Sequence, residues 1–258
     1  MRNSKLSIGL DNILRYVRLL LGPNSHSVKV ARLPEALVNY QHSPSTKRQI
    51  KDALYGQVAI IGRAVASPKR LELIELLCQS PMTVEGLARE AQISVKLASA
   101  HLKDLKIARL VETERQGKYV VYRLASEDVA RFWVTIRLLA EDRLFELQSA
   151  LSQLNEATHE WVGTDHKGLL EMAEGGDVVV LDVRPRREFE VGHLPFARSI
   201  PLDELEARLA DLPKDKTIIA YCRGPFCLMA GDAVRYLRSN GFDAVKLADG
   251  PTEWLRAK

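Results

Sequence analysis

The sequence predicts two folds in series: a mainly α domain of helix-turn-helix type, then an α/β domain with a parallel sheet. Three observations carry this expectation. Between residues 47 and 125, helical patterns separated by a breaker and a short turn run into two β-type stretches around Arg115-Gln116-Gly117-Lys118. Beyond residue 164, the apolar runs DVVVLDVR, KTIIAYC and DAVKLADG alternate with helical ones, the pattern of strands that return in parallel through crossovers. The charge also changes between the halves: residues 47–125 hold 14 basic against 8 acidic side chains, residues 164–258 hold 14 against 16. The first half suits a phosphate backbone and the last third does not.

Length and composition set the frame. A chain of 258 residues, 46% hydrophobic, suits about two domains with real cores. Three cysteines are too few for a disulfide framework, and the odd count leaves a thiol over. That implies a reducing, cytoplasmic setting where thiols are kept for chemistry. Charges interrupt every apolar stretch, so neither a transmembrane helix nor a signal peptide is expected.

The elements follow in order. Residues 1–46 form an extension, partly helical or disordered, with Leu10, Ile13, Leu14, Val17, Leu20 and Leu21 at helical spacing before Gly22-Pro23. A helix over about 47–65 ends at Ser67-Pro68, and SPKRLELIELLCQS begins the next. Its Cys78 shares a face with Leu71, Ile74 and Leu77 and reads as a core residue. Thr83 caps a short helix. The turn QIS then leads into VKLASAHLKDLKIARL, with Leu97, Leu102 and Leu105 expected inward. VETERQGKYVVYRL is a hairpin. Ser126 caps one long helix over about 127–158. In the last third, HKGLLEMAEGG and LDELEARLADLP are predicted helices and EFEVGHLPFARSIP a loop. LMAGDAVRYLRSNG is the helix after the third motif of interest, YCRGPFC.

Helix, turn, helix and hairpin place one helix in a major groove and a wing near phosphates. Ser94, Lys96 and Ser99, with His101 and Lys103 on the same helix, are the candidate DNA-contacting residues there. Arg115 and Lys118 are candidates for the backbone. The pattern S-x-x-x-x-S-x-H-L-K-x-L, present as Ser94, Ser99, His101, Leu102, Lys103 and Leu105, resembles the ArsR/SmtB family of winged-helix regulators over about 47–160. The resemblance implies a homodimer paired through terminal helices and a double-stranded DNA operator. Val95 and Ala100 depart from the family's polar residues, so base preference does not transfer. Many members sense metals, but Cys78 stands alone in this half, so no metal site and no cofactor are expected.

In YCRGPFC, Cys222 ends a strand and opens a loop into a helix N-terminus. Unpaired amides, the helix dipole and Arg223 should all favour its thiolate, and equally a persulfide. Gly224, Pro225, Phe226 and Leu228 complete the loop, and Cys227 is either a small packing residue or a resolving thiol. Asp182–Arg184, Glu188–Phe189, Gly192–Pro195 and Gly250–Trp254 resemble the rhodanese (sulfurtransferase) domain over about 162–258. That implies Cys222 as the sulfur-carrying nucleophile, with Asp182 and Arg184 as structural support and His193 in a turn. Asp249 and Cys227 depart from the family pattern. The expected function is a DNA-binding regulator, a repressor, that senses or processes reactive sulfur through Cys222, with a sulfane-sulfur donor or thiol acceptor as partner. The alternatives are a sulfurtransferase enzyme that uses the winged helix for dimerisation or tethering, and an arsenite-responsive regulator.

Overall fold

The computed structural model describes residues 44–156 and 166–254. The apolar spacing of residues 10–21 and the connection containing His159 lie outside the described residues. The chain divides into two compact units, residues 1–58 and 59–258. In the first, the described part of helix α1 (Pro44–Val65) exposes Leu54, Tyr55 and Val58.

The second unit continues with α2 (Pro68–Gln79), β1 (Met82–Thr83), α3 (Val84–Glu90), α4 (Val95–Ile107), β2 (Val111–Gln116), β3 (Tyr119–Leu124), α5 (Glu127–Arg143) and α6 (Phe145–Glu156). Pro68 enters α2 at its first turn, where the missing N–H costs nothing. Thr83 caps α3 by accepting from Gly86 N at 3.2 Å, and Ser94 caps α4 by accepting from Leu97 N at 3.2 Å. Leu73, Ile74, Leu87, Leu102, Leu105 and Trp133 make the core between these helices. The hairpin closes through Gly117-Lys118, where Gly117 takes φ +61 without a Cβ penalty. Among the described residues, β1, β3 and β2 form an antiparallel sheet in that order.

Three local expectations change. Leu97 is exposed and Ala98 takes its inward place, because positions 98, 102 and 105 follow the i, i+4, i+7 stripe. The single helix over 127–158 is two, broken at Leu144, whose backbone is extended. Gln148 Nε2 donates to the carbonyl of Glu141 at 2.7 Å and so satisfies a group the break sets free. Arg115 lies in β2, paired with Val120, rather than in the turn.

The remainder is α7 (His166–Gly175), β4 (Val178–Asp182), α8 (Arg186–Val191), β5 (Arg198–Ser199), β6 (Thr217–Tyr221), α9 (Met229–Ser239), β7 (Ala244–Lys246) and α10 (Pro251–Trp254). Among the described residues the sheet is parallel, ordered β5-β4-β6-β7. Strands β4 and β6 are near-continuous apolar runs, buried but for the half-exposed Thr217, because both faces are covered. Residues 188–191, expected as loop, lie in α8. Residues 202–212, expected as helix, form two short 3-10 turns that still turn Leu205 and Leu212 inward.

Candidate functional site: a cysteine loop docked on the winged helix

Strand β6 ends at Tyr221 and delivers Cys222 to the carboxyl edge of the sheet, where ligands of open parallel sheets bind. The loop 222–228 runs from there into α9. Backbone N–H groups of Gly224 and Ala230 hydrogen-bond the Cys222 sulfur, as the cradle in the sequence suggested. Cys222 Sγ also lies 3.5 Å from the Cys227 carbonyl oxygen, to which it donates. Gly250 presses on the loop from below: a Cβ there would sit 2.6 Å from the Arg223 carbonyl carbon and oxygen and 2.7 Å from that of Cys222. Glycine is required by this close approach.

Asp182 and Arg184 stand at the end of β4. Asp182 Oδ2 accepts from Arg184 Nη2 and from the Tyr221 hydroxyl, both at 2.6 Å. Arg184 also donates to the Gly192 carbonyl at 2.7 Å. Both side chains are buried, and their role here is to tie β4, β6 and the Gly192 turn together. His193 stacks on Phe189 with ring centroids 3.8 Å apart. Asp249, which departs from the family pattern, meets His166 Nε2 at 2.8 Å, and His166 stacks on Trp254.

The cover over the loop was not legible in the sequence. Arg223, expected to lend its charge to Cys222, is held by Glu188 at 2.7 and 3.0 Å and by Glu90 of α3 at 2.7 Å. Gln79, at the end of α2, accepts from Arg184 Nη1 at 2.8 Å. Its amide donates to the Arg223 carbonyl at 3.3 Å and to Thr252 Oγ1 at 3.2 Å. Phe226 packs edge-on to Trp133 of α5 at 6.2 Å, with the Arg137 guanidinium 5.8 Å from its ring. Arg137, itself buried, pairs with Glu141 and with Glu253 at 3.1 Å. The loop is therefore roofed by α2, α3 and α5, and Cys222 is 2% exposed.

This enclosure redistributes protons. Burial pushes the Cys222 thiol up, and the neighbouring Cys227 adds to the rise. Cys227 takes a hydrogen bond from Cys222 and is lowered to about 7. The sequence suggested a lowered Cys222; burial and the neighbouring Cys227 instead outweigh the Gly224 and Ala230 amides and raise it. Glu75 of α2 is pushed up to about 8 by burial, with Cys227 and Glu253 adding to it. Burial also raises Glu253, against the pull of Arg137. Cys78 sits half-buried at the winged-helix core, and burial pushes its thiol up. A cavity of about 1110 Å³ opens beside Gln79, Arg184, His193 and Trp254, away from the Cys222 sulfur.

On the winged helix, Ser94, Lys96, Ser99 and Lys103 lie exposed along α4, and His101 is half-buried. The Ser94 hydroxyl is occupied as the cap of α4. Arg115 and Lys118 are exposed at the hairpin's far end, with Lys118 Nζ 5.2 Å from the Tyr119 ring. Among the described residues, no three His, Cys, Asp or Glu side chains cluster as a metal site, and no helix is long and apolar enough to cross a membrane.

Two domain types are thereby defined, a winged helix and an α/β domain with a cysteine loop at the carboxyl edge of its parallel sheet. Residues 67–113 match the family model described as bacterial regulatory protein, arsR family, and residues 165–257 match the rhodanese-like domain. The HTH-type transcriptional regulator Rv0324 of Mycobacterium tuberculosis is 40% identical over 207 residues, 80% of this chain and 91% of its own length. This chain belongs to that family: transcriptional regulators of ArsR type that carry a rhodanese-like domain. A sulfurtransferase of Allochromatium vinosum is 30% identical over 86 residues, 33% of this chain and 78% of its own. Among solved structures, the homodimeric winged helix-turn-helix DNA-binding domain Mb0332 of Mycobacterium bovis is 40% identical, covering 36% of this chain and 87% of that one, with a TM-score of 0.35.

Proposed function

We propose that this regulator is a homodimeric repressor whose operator affinity is set by the sulfur state of the Cys222–Cys227 loop. The observation that carries the reading is the docking of that loop on the winged helix through Arg223–Glu90, the Gln79 bonds and Phe226–Trp133. Sulfur arriving on Cys222 adds an atom inside a loop pinned from below by Gly250 and from above by α2. Attack by Cys227 on the inner sulfur then releases sulfide and leaves a disulfide, which pulls the chain beside Glu75. Either product strains contacts made by the same helices that hold α4 in place. A coupling of about 1–3 kcal/mol, typical of linked sites, is enough to switch occupancy. Lys96, Ser99 and Lys103 would face bases and phosphates, with Arg115 and Lys118 on the backbone.

The test is operator binding by fluorescence anisotropy, with the reduced protein before and after treatment with hydrodisulfide. A five-fold or larger loss of affinity supports the reading; equal affinities refute it and leave an unregulated DNA-binding protein. The burial of Cys222 argues against the reading as a sulfurtransferase enzyme, since a protein or bulky thiol acceptor has no approach to the sulfur.

A further inference from the structure

We infer that the loop accepts sulfur from small hydrodisulfide-type donors and rejects thiosulfate, because the guanidinium groups on and around it are already held by carboxylates beneath the winged-helix roof. This inference rests on the sulfur-sensing reading above and names the donor for the same site.

The charges around the loop carry it. Arg223 is shared by Glu188 and Glu90. Arg184 is held by Asp182, Gln79 and the Gly192 carbonyl. Arg137 is held by Glu141 and Glu253. Arg187 faces Glu90 at 3.8 Å. Meanwhile the Glu253 carboxylate lies against Gly224, both its oxygens 3.3 Å from where a Cβ would be, and Glu75 faces Cys227. An incoming dianion finds backbone amides but no uncommitted guanidinium among these four.

The two transfers differ in what they ask of this site. With hydrodisulfide, the Cys222 thiolate attacks the terminal sulfhydryl sulfur of HSS⁻. The S–S bond breaks, the proton of the attacked sulfur passes to the departing one so that hydrosulfide leaves, and Cys222–S–S⁻ remains; one negative charge enters and one leaves. With thiosulfate, the same attack on the outer sulfur expels sulfite, so a tetrahedral dianion must both enter and depart. In each case the thiolate is oxidised to the persulfide level by the sulfane sulfur, and no other oxidant is needed. With the guanidinium groups around the loop already paired, the extra negative charge of thiosulfate meets no free counter-charge on them, which disfavours its entry. The roof, which leaves Cys222 2% exposed, works in the same direction by excluding the larger anion.

The experiment uses the full-length Cys227→Ser protein, in which a persulfide on Cys222 persists. Reduced protein is mixed with hydrodisulfide or thiosulfate at equal concentration, and the gain of 32 Da on Cys222 is followed by intact and peptide mass spectrometry. Loading by hydrodisulfide several-fold or more faster than by thiosulfate is the expected result. Equal rates overturn the donor selectivity while leaving sulfur sensing in place. Loading by neither overturns both. A Glu90→Gln variant, made in the same background, returns part of the Arg223 charge to the loop and narrows the ratio several-fold. A ratio unchanged in Glu90→Gln, whose circular dichroism and melting temperature report the fold, overturns the electrostatic basis.

Discussion

Gln79 is the perturbation that isolates the docked loop. Its side chain, 3% exposed, makes three hydrogen bonds, all of them to the rhodanese-like domain. Replacing it with methionine preserves volume and removes all three. The bond from the Arg184 guanidinium is charge-assisted, worth about 1.5–3 kcal/mol, and the two from the amide are worth about 0.5–1.5 kcal/mol each. The guanidinium keeps Asp182 and the Gly192 carbonyl, so its loss falls at the lower end. The long amide bonds, at 3.2 and 3.3 Å, count for little more than half a kilocalorie apiece. The sum is about 3 kcal/mol. In a unit of some 200 residues that lowers the melting temperature by roughly 6–12 °C.

Urea unfolding followed by circular dichroism measures the first number and calorimetry the second. A third readout separates docking from simple stability. Gln79→Met should also let iodoacetamide reach Cys222 at urea concentrations well below the unfolding transition, because the roof lifts before the domains melt. A loss under 1 kcal/mol, with Cys222 still protected, would refute the docking account. An equal loss in Gln79→Ala and Gln79→Met identifies the polar groups, not the volume, as the cause.

Glu75 and the wing test two other parts. The Glu75 proton is retained to about pH 8 in the fold but is released near 4.5 in the unfolded chain, so the native state binds more protons between these values and stability falls as pH rises. Glu75→Gln removes that slope: it should be about 2 kcal/mol more stable than the parent at pH 9, discounted for a carboxyl that is only half-buried, and no more stable at pH 5. Cys227, lowered to about 7, contributes the opposite slope between about 7 and 9, so the variant–parent difference at each pH is the quantity to read; a flat difference from pH 5 to 9 counts against a buried neutral Glu75. At the hairpin, Arg115→Ala with Lys118→Ala should weaken operator binding on all sequences alike and reduce the slope of log K against log salt by about 2. An unchanged slope removes the wing from the DNA interface.

Local pattern made most of the framework legible. Apolar spacing gave α2, α4 and strands β2, β3, β4, β6 and β7, though not the two-residue β1 and β5, and the Cys222 position followed from a strand run meeting a helix run. What escaped was set by distant partners. Leu144 breaks a helix with neither glycine nor proline nearby, and the compensating Gln148 bonds become visible only once the chain has turned. Residues 202–212 carry leucines at helical spacing, yet short 3-10 turns already place Leu205 and Leu212 inward. The roof is the largest omission. Gln79 reaches residues 105 to 173 positions away, and no periodicity records such a pairing. Two traces were present nonetheless: a glutamine closing an apolar helix and Arg137 set among the leucines of α5. Polar groups at core-facing positions must find partners, and both do so in the rhodanese-like domain. The role of Arg223 was misread for the same reason, since Glu90 lies 133 positions away from it.

The docked loop also constrains the direction of any signal. If sulfur on Cys222 changes operator affinity by a given factor, then operator DNA must change the sulfur-loading equilibrium of Cys222 by the same factor. On the proposed loss of affinity, operator binding and loading oppose each other: a DNA-bound protein would be the form that resists sulfur, and only donor in excess of that penalty would release it. The physical origin is one set of contacts counted twice. Glu90 and Gln79 hold Arg223 and its carbonyl from the winged-helix side, so any displacement of the loop is felt in α2 and α3, and any shift of those helices on DNA is felt in the loop. A free rhodanese-like domain, joined only by a tether, would have no such reciprocity. Its Cys222 would load at one equilibrium whether or not operator was present, which makes the loading equilibrium with saturating operator the measurement that distinguishes a docked sensor from a passenger domain.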